Sequence, residues 1–216
     1  MICADVSLDD VMGFHTHASD YIFPSGVALQ NMAAPVQAVY CIRKGVVKLV
    51  KYDANGGQRI VRVLKKGDVA GIDWAFAGTA EYAAIAVGEV HACQIPVGFF
   101  LDFVSSHADF QSRLLHKSQE ALRETELWLS QLVGGTIPAR VRTARLLLRL
   151  REGDSDRVHH LNNEDMGAIL GVTEETVSRA IAELLRQEIL VRDENSLAAR
   201  YFRADIPALE SIAVEA

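Results

Sequence analysis

From residue 110 to residue 133 this chain has neither glycine nor proline, and apolar doublets recur every seven residues: Leu114-Leu115, Ala121-Leu122 and Trp128-Leu129. Nothing in that run breaks a helix, and a strict seven-residue repeat keeps one stripe turned to the same side along its length. A helix of some 25 residues spans about 37 Å, long for a small domain. A doublet is wider than a two-helix seam needs. The spacing therefore predicts that one member of each doublet faces a second copy of the chain while the other covers the chain's own β-roll. A long surface helix packed on its own domain alone is the competing expectation.

The two sides of this helix have different periodicities. Between about residues 20 and 95, β-prone runs at 39–42, 46–52, 59–64, 82–87 and 90–95 alternate with Gly45, Gly56-Gly57, Gly67, Gly71, Gly78 and Gly88. Short strands at such intervals with glycine turns predict an all-β barrel or roll. Its clearest hairpin turns at Asn55-Gly56, residues that tolerate positive φ. Residues 1–13 read as a short helix. After the long helix, Gly134-Gly135-Thr136-Ile137-Pro138 forms a break and a predicted hinge. A second helix at 139–150 carries Val141, Ala144, Leu147 and Leu148 on one face, and a polar loop follows at 152–160.

The segment LNNEDMGAILGVTEETVSRAIAELLRQ is the most informative. Asn162 or Asn163 can cap a helix reaching Leu170, Gly171 permits a left-handed helix end, and Thr173 can cap a second helix to about Gln187. Two helices joined by such a turn are a helix-turn-helix. The apolar set Met166, Ile169, Leu170, Val172, Val177, Ile181 and Leu184 faces inward, with Gly167 at the close approach. Thr173, Glu175, Thr176, Ser178 and Arg179 are left outside, where a recognition helix meets double-stranded DNA. Arg179 can donate twice to guanine, Glu175 can accept from cytosine N4, and Ser178 can bond a base or a phosphate. Thr173 and Thr176, with the helix's first amides, can hold phosphate. The competing reading is a plain Glu175–Arg179 surface ion pair. Strands at 189–192 and 197–203 then make a wing, whose Arg192, Arg200 and Arg203 are candidate phosphate contacts.

Bulk chemistry narrows the function. Net charge is −6 and the pI about 5.6, which argues against a non-specific nucleic-acid binder but not against a specific one. Eleven of the sixteen arginines, and no lysine, lie beyond residue 138, alongside fourteen acids. No stretch approaches ~20 apolar residues, so no membrane span is expected. The acidic start MICADVSLDD has no basic n-region, so the expected location is cytoplasmic. Cys3, Cys41 and Cys93 are too few and too scattered for a closed zinc site or a four-cysteine iron–sulfur cluster. They read as reduced, mostly buried thiols. No phosphate loop, nucleophile elbow or paired-carboxylate motif points to an enzyme.

In this order the chain resembles the CRP/FNR family of transcription regulators, from about Phe14 to Arg203. KKGDVAGID looks like the family's G-D-x-x-G turn, and GVTEETVSRAIAELLRQEIL looks like its recognition helix. The fold class implied is α+β: a cyclic-nucleotide-binding-like β-roll jelly roll at 1–108, a dimerisation helix and hinge at 109–137, and a winged helix-turn-helix at 138–216. Glu175, Ser178 and Arg179 are similar to the FNR branch, which implies a palindrome of TTGAT-like half-sites. The resemblance also implies a homodimer, contact with RNA polymerase and allosteric control by a small-molecule effector.

The sensor departs from the family. Where cyclic-AMP-binding members have glutamate after the shared glycine, and an Arg-Ser pair for the phosphate, Gly71 is followed by Ile72 and Asp73, and the pair is Glu81-Tyr82. The adenine-facing pair of the long helix aligns with Leu127-Trp128. Cyclic AMP binding therefore looks lost. Cys93 resembles the oxygen-sensing branch's fourth cysteine, but only Cys3 lies near the N-terminus. The signal is left open between haem or nitric oxide, with His15, His17, His91, His107 and His116 as candidate haem ligands, redox chemistry, and no signal at all, with control by protein abundance. A regulatory ligand-binding protein whose C-terminal domain docks a protein partner is the alternative, supported by the acidic charge.

Overall fold

The computed structural model describes residues 17–133, 136–193 and 201–215. The chain divides into two compact units, Met1–Glu124 and Thr125–Ala216, with the dividing point inside the long helix.

The first unit is built on six antiparallel strands: β1 Ser19–Phe23, β2 Ala28–Gln30, β3 Ala38–Tyr52, β4 Gln58–Leu64, β5 Val69–Ala70 and β6 Ala83–Pro96. Their order is β1-β6-β3-β4, with β2 on β6 and β5 on β3. Two pairs of runs expected as separate strands are each continuous. Residues 39–42 and 46–52 both lie in β3, and nearly all of 82–87 and 90–95 lies in β6. The two long strands pair from Ala38↔Pro96 to Val50↔Ala83. Gly45 and Gly88 adopt φ of 88 and 75, and the register shifts between Ile42 and Val46. These glycines kink a ladder rather than end it, because the flanking backbone bonds hold the two strands together.

Side chains alternate across the sheet. Ala38, Tyr40, Ile42, Val47, Leu49, Leu64, Ala84, Val90 and Ala92 form one core with Trp74. Val39, Cys41, Cys93 and Ile95 form another, joined by Phe100, Phe103, Phe110 and Leu114. Those last residues belong to α2 (Val97–Ser106) and α3 (Ala108–Leu132), while Trp74 sits on α1 (Ile72–Ala77). α1 has no periodic signal in the sequence, because it is only six residues long, between Gly71 and Gly78.

α3 is the long helix, at 25 residues. It separates the members of two doublets, although Trp128 belongs to the second unit. Leu114 and Trp128 are buried, whereas Leu115, Leu122 and Leu129 are 61%, 61% and 65% exposed. No helix among the described residues is long and apolar enough to cross a membrane.

The second unit holds α4 (Ala139–Arg149), β7 (Arg157–His159), α5 (Asn163–Leu170), α6 (Glu174–Arg186), β8 (Leu190–Arg192), β9 (Tyr201–Ala204) and α7 (Ile206–Ala213). The strands form a sheet in the order β7-β9-β8. The stretch expected as a polar loop at 152–160 thus supplies a third strand, since Val158 buries itself opposite Phe202. On α4, Leu146 is buried and Leu148 only half-buried, a rotation of the expected face. The expected helix at 1–13, the glycines Gly134 and Gly135 of the expected hinge, and the wing tip at 194–200 lie outside the described residues.

Candidate nucleic-acid interface

The turn between α5 and α6 is fixed by four local features. The Asn162 side chain caps α5 by accepting from the Asp165 amide at 2.6 Å. Gly171 ends it at φ 64, ψ 40, a left-handed conformation that costs a side-chain-bearing residue more. The Thr173 hydroxyl caps α6 by accepting from the Thr176 amide at 3.3 Å. Gly167 lets the turn close: a Cβ there would stand 2.8 Å from the Val172 carbonyl oxygen. Met166, Ile169, Leu170, Val177, Ala180, Ile181 and Leu184 are all buried. Burial of a Val, Ile or Leu side chain contributes roughly 1.5–3 kcal/mol, so this face holds α6 in one rotation about its axis.

That rotation decides what faces out. Glu174, Glu175, Ser178, Arg179, Ala182 and Arg186 are exposed, and Thr176 is half-buried. Residues 175, 178, 179, 182 and 186 recur at helical spacing and share one face. The carboxylate, hydroxyl and guanidinium of Glu175, Ser178 and Arg179 are thus brought together on the solvent side. The partner of the Arg179 guanidinium is Thr176 rather than Glu175. Arg179 Nη2 donates weakly to Thr176 Oγ1 at 3.4 Å, and Thr176 Oγ1 lies 3.0 Å from Thr173 Oγ1. Thr173 and Thr176 are therefore engaged with the cap and with the guanidinium of Arg179.

Arg142 stands outside the residues expected from the sequence. It is buried, and its guanidinium donates to three backbone carbonyls: Ile137 at 3.1 Å, Leu132 at 3.4 Å and Leu170 at 2.6 Å. Two of these are the last residues of α3 and α5, whose carbonyls lack helical partners. An arginine beside Val141, on a helix face otherwise read as apolar, was the available signal.

In the wing, Arg157 stacks over Tyr201 at 4.1 Å and pairs with Asp193 at 3.3 Å. Arg203 stands 3.8 Å from Asp156, Arg192 is exposed, and Arg200 lies outside the described residues.

The sensor residues fall as follows. Gly71 is buried and starts α1 at φ 94, Ile72 is half-buried, and Asp73 and Glu81 are exposed. Tyr82 is half-buried, 6.5 Å from the Trp74 ring. Burial raises the Tyr82 phenol above its ordinary value, and the charges of Glu81 and Asp73 push the same way. Trp74 is 1% exposed inside the roll core. In the second unit Trp128 is buried and Leu127 is 38% exposed.

The described histidines have separate surroundings. His17 stacks on Phe99 at 4.3 Å and His107 on Phe103 at 3.9 Å. His91 Nε2 lies 2.8 Å from Glu89, whose pKa this bond lowers most, with Lys44 adding to it. His116 is exposed, and His15 lies outside the described residues. No group of three His, Cys, Asp or Glu side chains able to hold a metal occurs among the described residues. Cys41 and Cys93 are buried thiols, as their sparse count suggested.

Two family descriptions match the chain: Cyclic nucleotide-binding domain over residues 22–107, and Crp-like helix-turn-helix domain over residues 141–211. Among relatives, the CRP-like cAMP-activated global transcriptional regulator of Mycobacterium tuberculosis is 26% identical over 82% of this chain and 86% of its own length. The nitrogen fixation regulation protein FixK of Bradyrhizobium diazoefficiens is 27% identical over 86% and 79%. Among solved structures, FixK2 from Bradyrhizobium japonicum superposes with a TM-score of 0.78 at 23% identity, covering 92% of this chain and 98% of its own. TTHB099 from Thermus thermophilus does so with 0.72 at 20% identity, covering 91% and 97%. The class defined by these domains is that of a helix-turn-helix transcription regulator with a cyclic-nucleotide-binding-like sensor sheet. Within that class the chain belongs to the CRP/FNR family, whose curated relatives are regulators rather than enzymes.

Proposed function

We propose that this protein is a homodimeric transcription regulator that reads a TTGAT-like palindrome through α6, in the manner of the FNR branch. One observation carries the reading: Glu175, Ser178 and Arg179 stand exposed on one face of a helix whose opposite face is buried. Leu115, Leu122 and Leu129, exposed at seven-residue spacing, support pairing with a second copy through α3. Two recognition helices then meet half-sites about one DNA turn apart. Control is a population shift: a signal at the sensor sheet changes which arrangement of the DNA-binding domains is favoured. RNA polymerase is the downstream partner, and the working location is the cytoplasm.

The effector is not cyclic AMP. Asp73 and Glu81 place carboxylates where a phosphate would be repelled, and the Trp74 indole belongs to the roll's core. A haem-bound or redox signal is the alternative.

The test is a gel-shift comparison of Arg179→Ala with the parent protein on the palindrome and on a scrambled duplex. A bidentate arginine–guanine contact is worth about 1–3 kcal/mol of discrimination. The variant is expected to remain a folded dimer and to lose its preference between the duplexes. Full sequence preference in the variant refutes the role of Arg179. Parent protein that shifts neither duplex even at low salt refutes DNA binding altogether, since phosphate contacts are strongest there.

A further inference from the structure

We infer that Cys41 and Cys93 are a redox-sensitive pair, an intrachain disulfide site in the sensor sheet that a small peroxide closes and an external thiol reopens. Cys41 on β3 stands directly opposite Cys93 on β6, so both side chains point to the same face. The ladder fixes what kind of pair they are. Val97 N–H donates to the Gln37 carbonyl at 3.0 Å, bracketing Ala38 and Pro96 as a pair that exchanges no bonds between its own members. Alternation along the strands then makes Cys41 and Cys93 a pair that exchanges both backbone bonds. Such pairs hold their Cα atoms about 5.5 Å apart, inside the span of about 4.4–6.8 Å that a disulfide bridges.

The fit is close but not relaxed. Directly opposite Cβ atoms lie about 4.5–5.5 Å apart, and a disulfide prefers about 3.8 Å. Closing the bond must draw β3 and β6 together locally. The ladder can yield there, because its register shifts between Ile42 and Lys44 and again before Val46. A bond formed under strain is also the more easily reduced, which suits a switch better than a permanent staple.

The chemistry balances with hydrogen peroxide as oxidant. One cysteine thiolate attacks a peroxide oxygen, the O–O bond breaks, and hydroxide leaves and takes a proton to become water. The sulfenic acid is then attacked at sulfur by the second thiolate. The S–O bond breaks, and that hydroxide also leaves as water. Two thiols lose two electrons and two protons, and peroxide becomes two waters. A small oxidant suits the site, because Cys41 and Cys93 are only 5% and 6% exposed.

The consequence is mechanical. The pair shares its core with Phe100, Phe103, Phe110 and Leu114, the last two at the start of α3. A close-packed core passes a displacement on rather than absorbing it. Closing the disulfide shifts the footing of the helix that carries Leu115 and Leu122.

The experiment uses the full chain with Cys3→Ser, which leaves these two cysteines alone. Hydrogen peroxide is expected to remove two hydrogens from the intact mass and to give one cross-linked peptide holding both residues. Dithiothreitol is expected to reverse both changes. Adding Cys41→Ser abolishes the cross-link. Oxygen adducts without the cross-link, a cross-link between chains, or no reaction each overturn the proposal. Hydrogen exchange of the oxidised protein is expected to rise at residues 110–114; unchanged exchange with the disulfide formed overturns the coupling to α3.

Discussion

Arg142 Nη1 donates to the Leu170 carbonyl at 2.6 Å, and the same nitrogen reaches the Leu132 carbonyl at 3.4 Å. One buried cation thus closes the ends of two helices, the long helix and the first helix of the helix-turn-helix. Replacing Arg142 with methionine keeps much of the stem's volume but removes every donor. Each buried carbonyl left unpaired costs about 1–3 kcal/mol. The variant is expected to lose about 3 kcal/mol in urea denaturation followed by far-ultraviolet circular dichroism. A loss below about 1 kcal/mol means that these carbonyls find other donors.

The closest backbone approach in the turn gives a second expectation. A Cβ on Gly167 meets the Val172 carbonyl oxygen at 2.8 Å, and backbone cannot swing aside as a side chain can. Gly167→Ala must push α5 away from the start of α6. Overpacking of this kind costs about 1–3 kcal/mol. DNA affinity is expected to fall along with urea stability, because the same displacement moves Thr173 and Arg179. A variant as stable as the parent locates the contact wrongly.

These two residues also show where the sequence was legible. Gly167 and Gly171 could be read, because a helix-turn-helix writes its turn, caps and apolar spacing within one short window. The same holds for the α3 doublets. Arg142 was legible only as a cation on an apolar face; its role was not, because two of its three acceptors lie 10 and 28 residues away along the chain and come within reach only once the helices pack. Gly45 and Gly88 read as turns in the sequence because a bulge and a turn use the same residue; only the β3–β6 register separates them. α7 carries a usable signal in the sequence, Asp205 capping a helix with proline in its first turn. The sensor residues stay the least legible. Asp73, Glu81 and Tyr82 show a changed pocket, but no local pattern spells its ligand.

Pairing through α3 has its own test. Leu122 is 61% exposed, so a charge there should leave the single chain intact, within about 0.5 kcal/mol. Across a seam it would bury a carboxylate against the partner's matching leucine, which is costly without a counter-charge. Leu122→Glu is therefore expected to sediment as a monomer at concentrations where the parent is a dimer. A dimer of unchanged strength places the interface elsewhere.

Tyr82 gives a pH dependence. Its phenol lies against Trp74, and burial raises its pKa above the ordinary 10.0, with Glu81 and then Asp73 adding to the shift. A phenol with a higher pKa in the folded state holds its proton more tightly there. Its contribution to stability is complete below the unfolded value and disappears as pH climbs through the folded one. Phenylalanine at position 82 cannot ionise, so it escapes that loss. The melting temperatures of parent and Tyr82→Phe, compared between about pH 8 and about pH 12, should show the parent's relative stability falling at the alkaline end. Tyr40 and Tyr201, also raised mainly by burial, are common to both proteins and cancel in the difference. A difference that stays flat with pH would mean the phenol ionises as freely in the folded chain as in the unfolded one. Asp73 and Glu81 would then exert no field on that corner of the sensor, and the electrostatic argument against an anionic ligand there would fail with it.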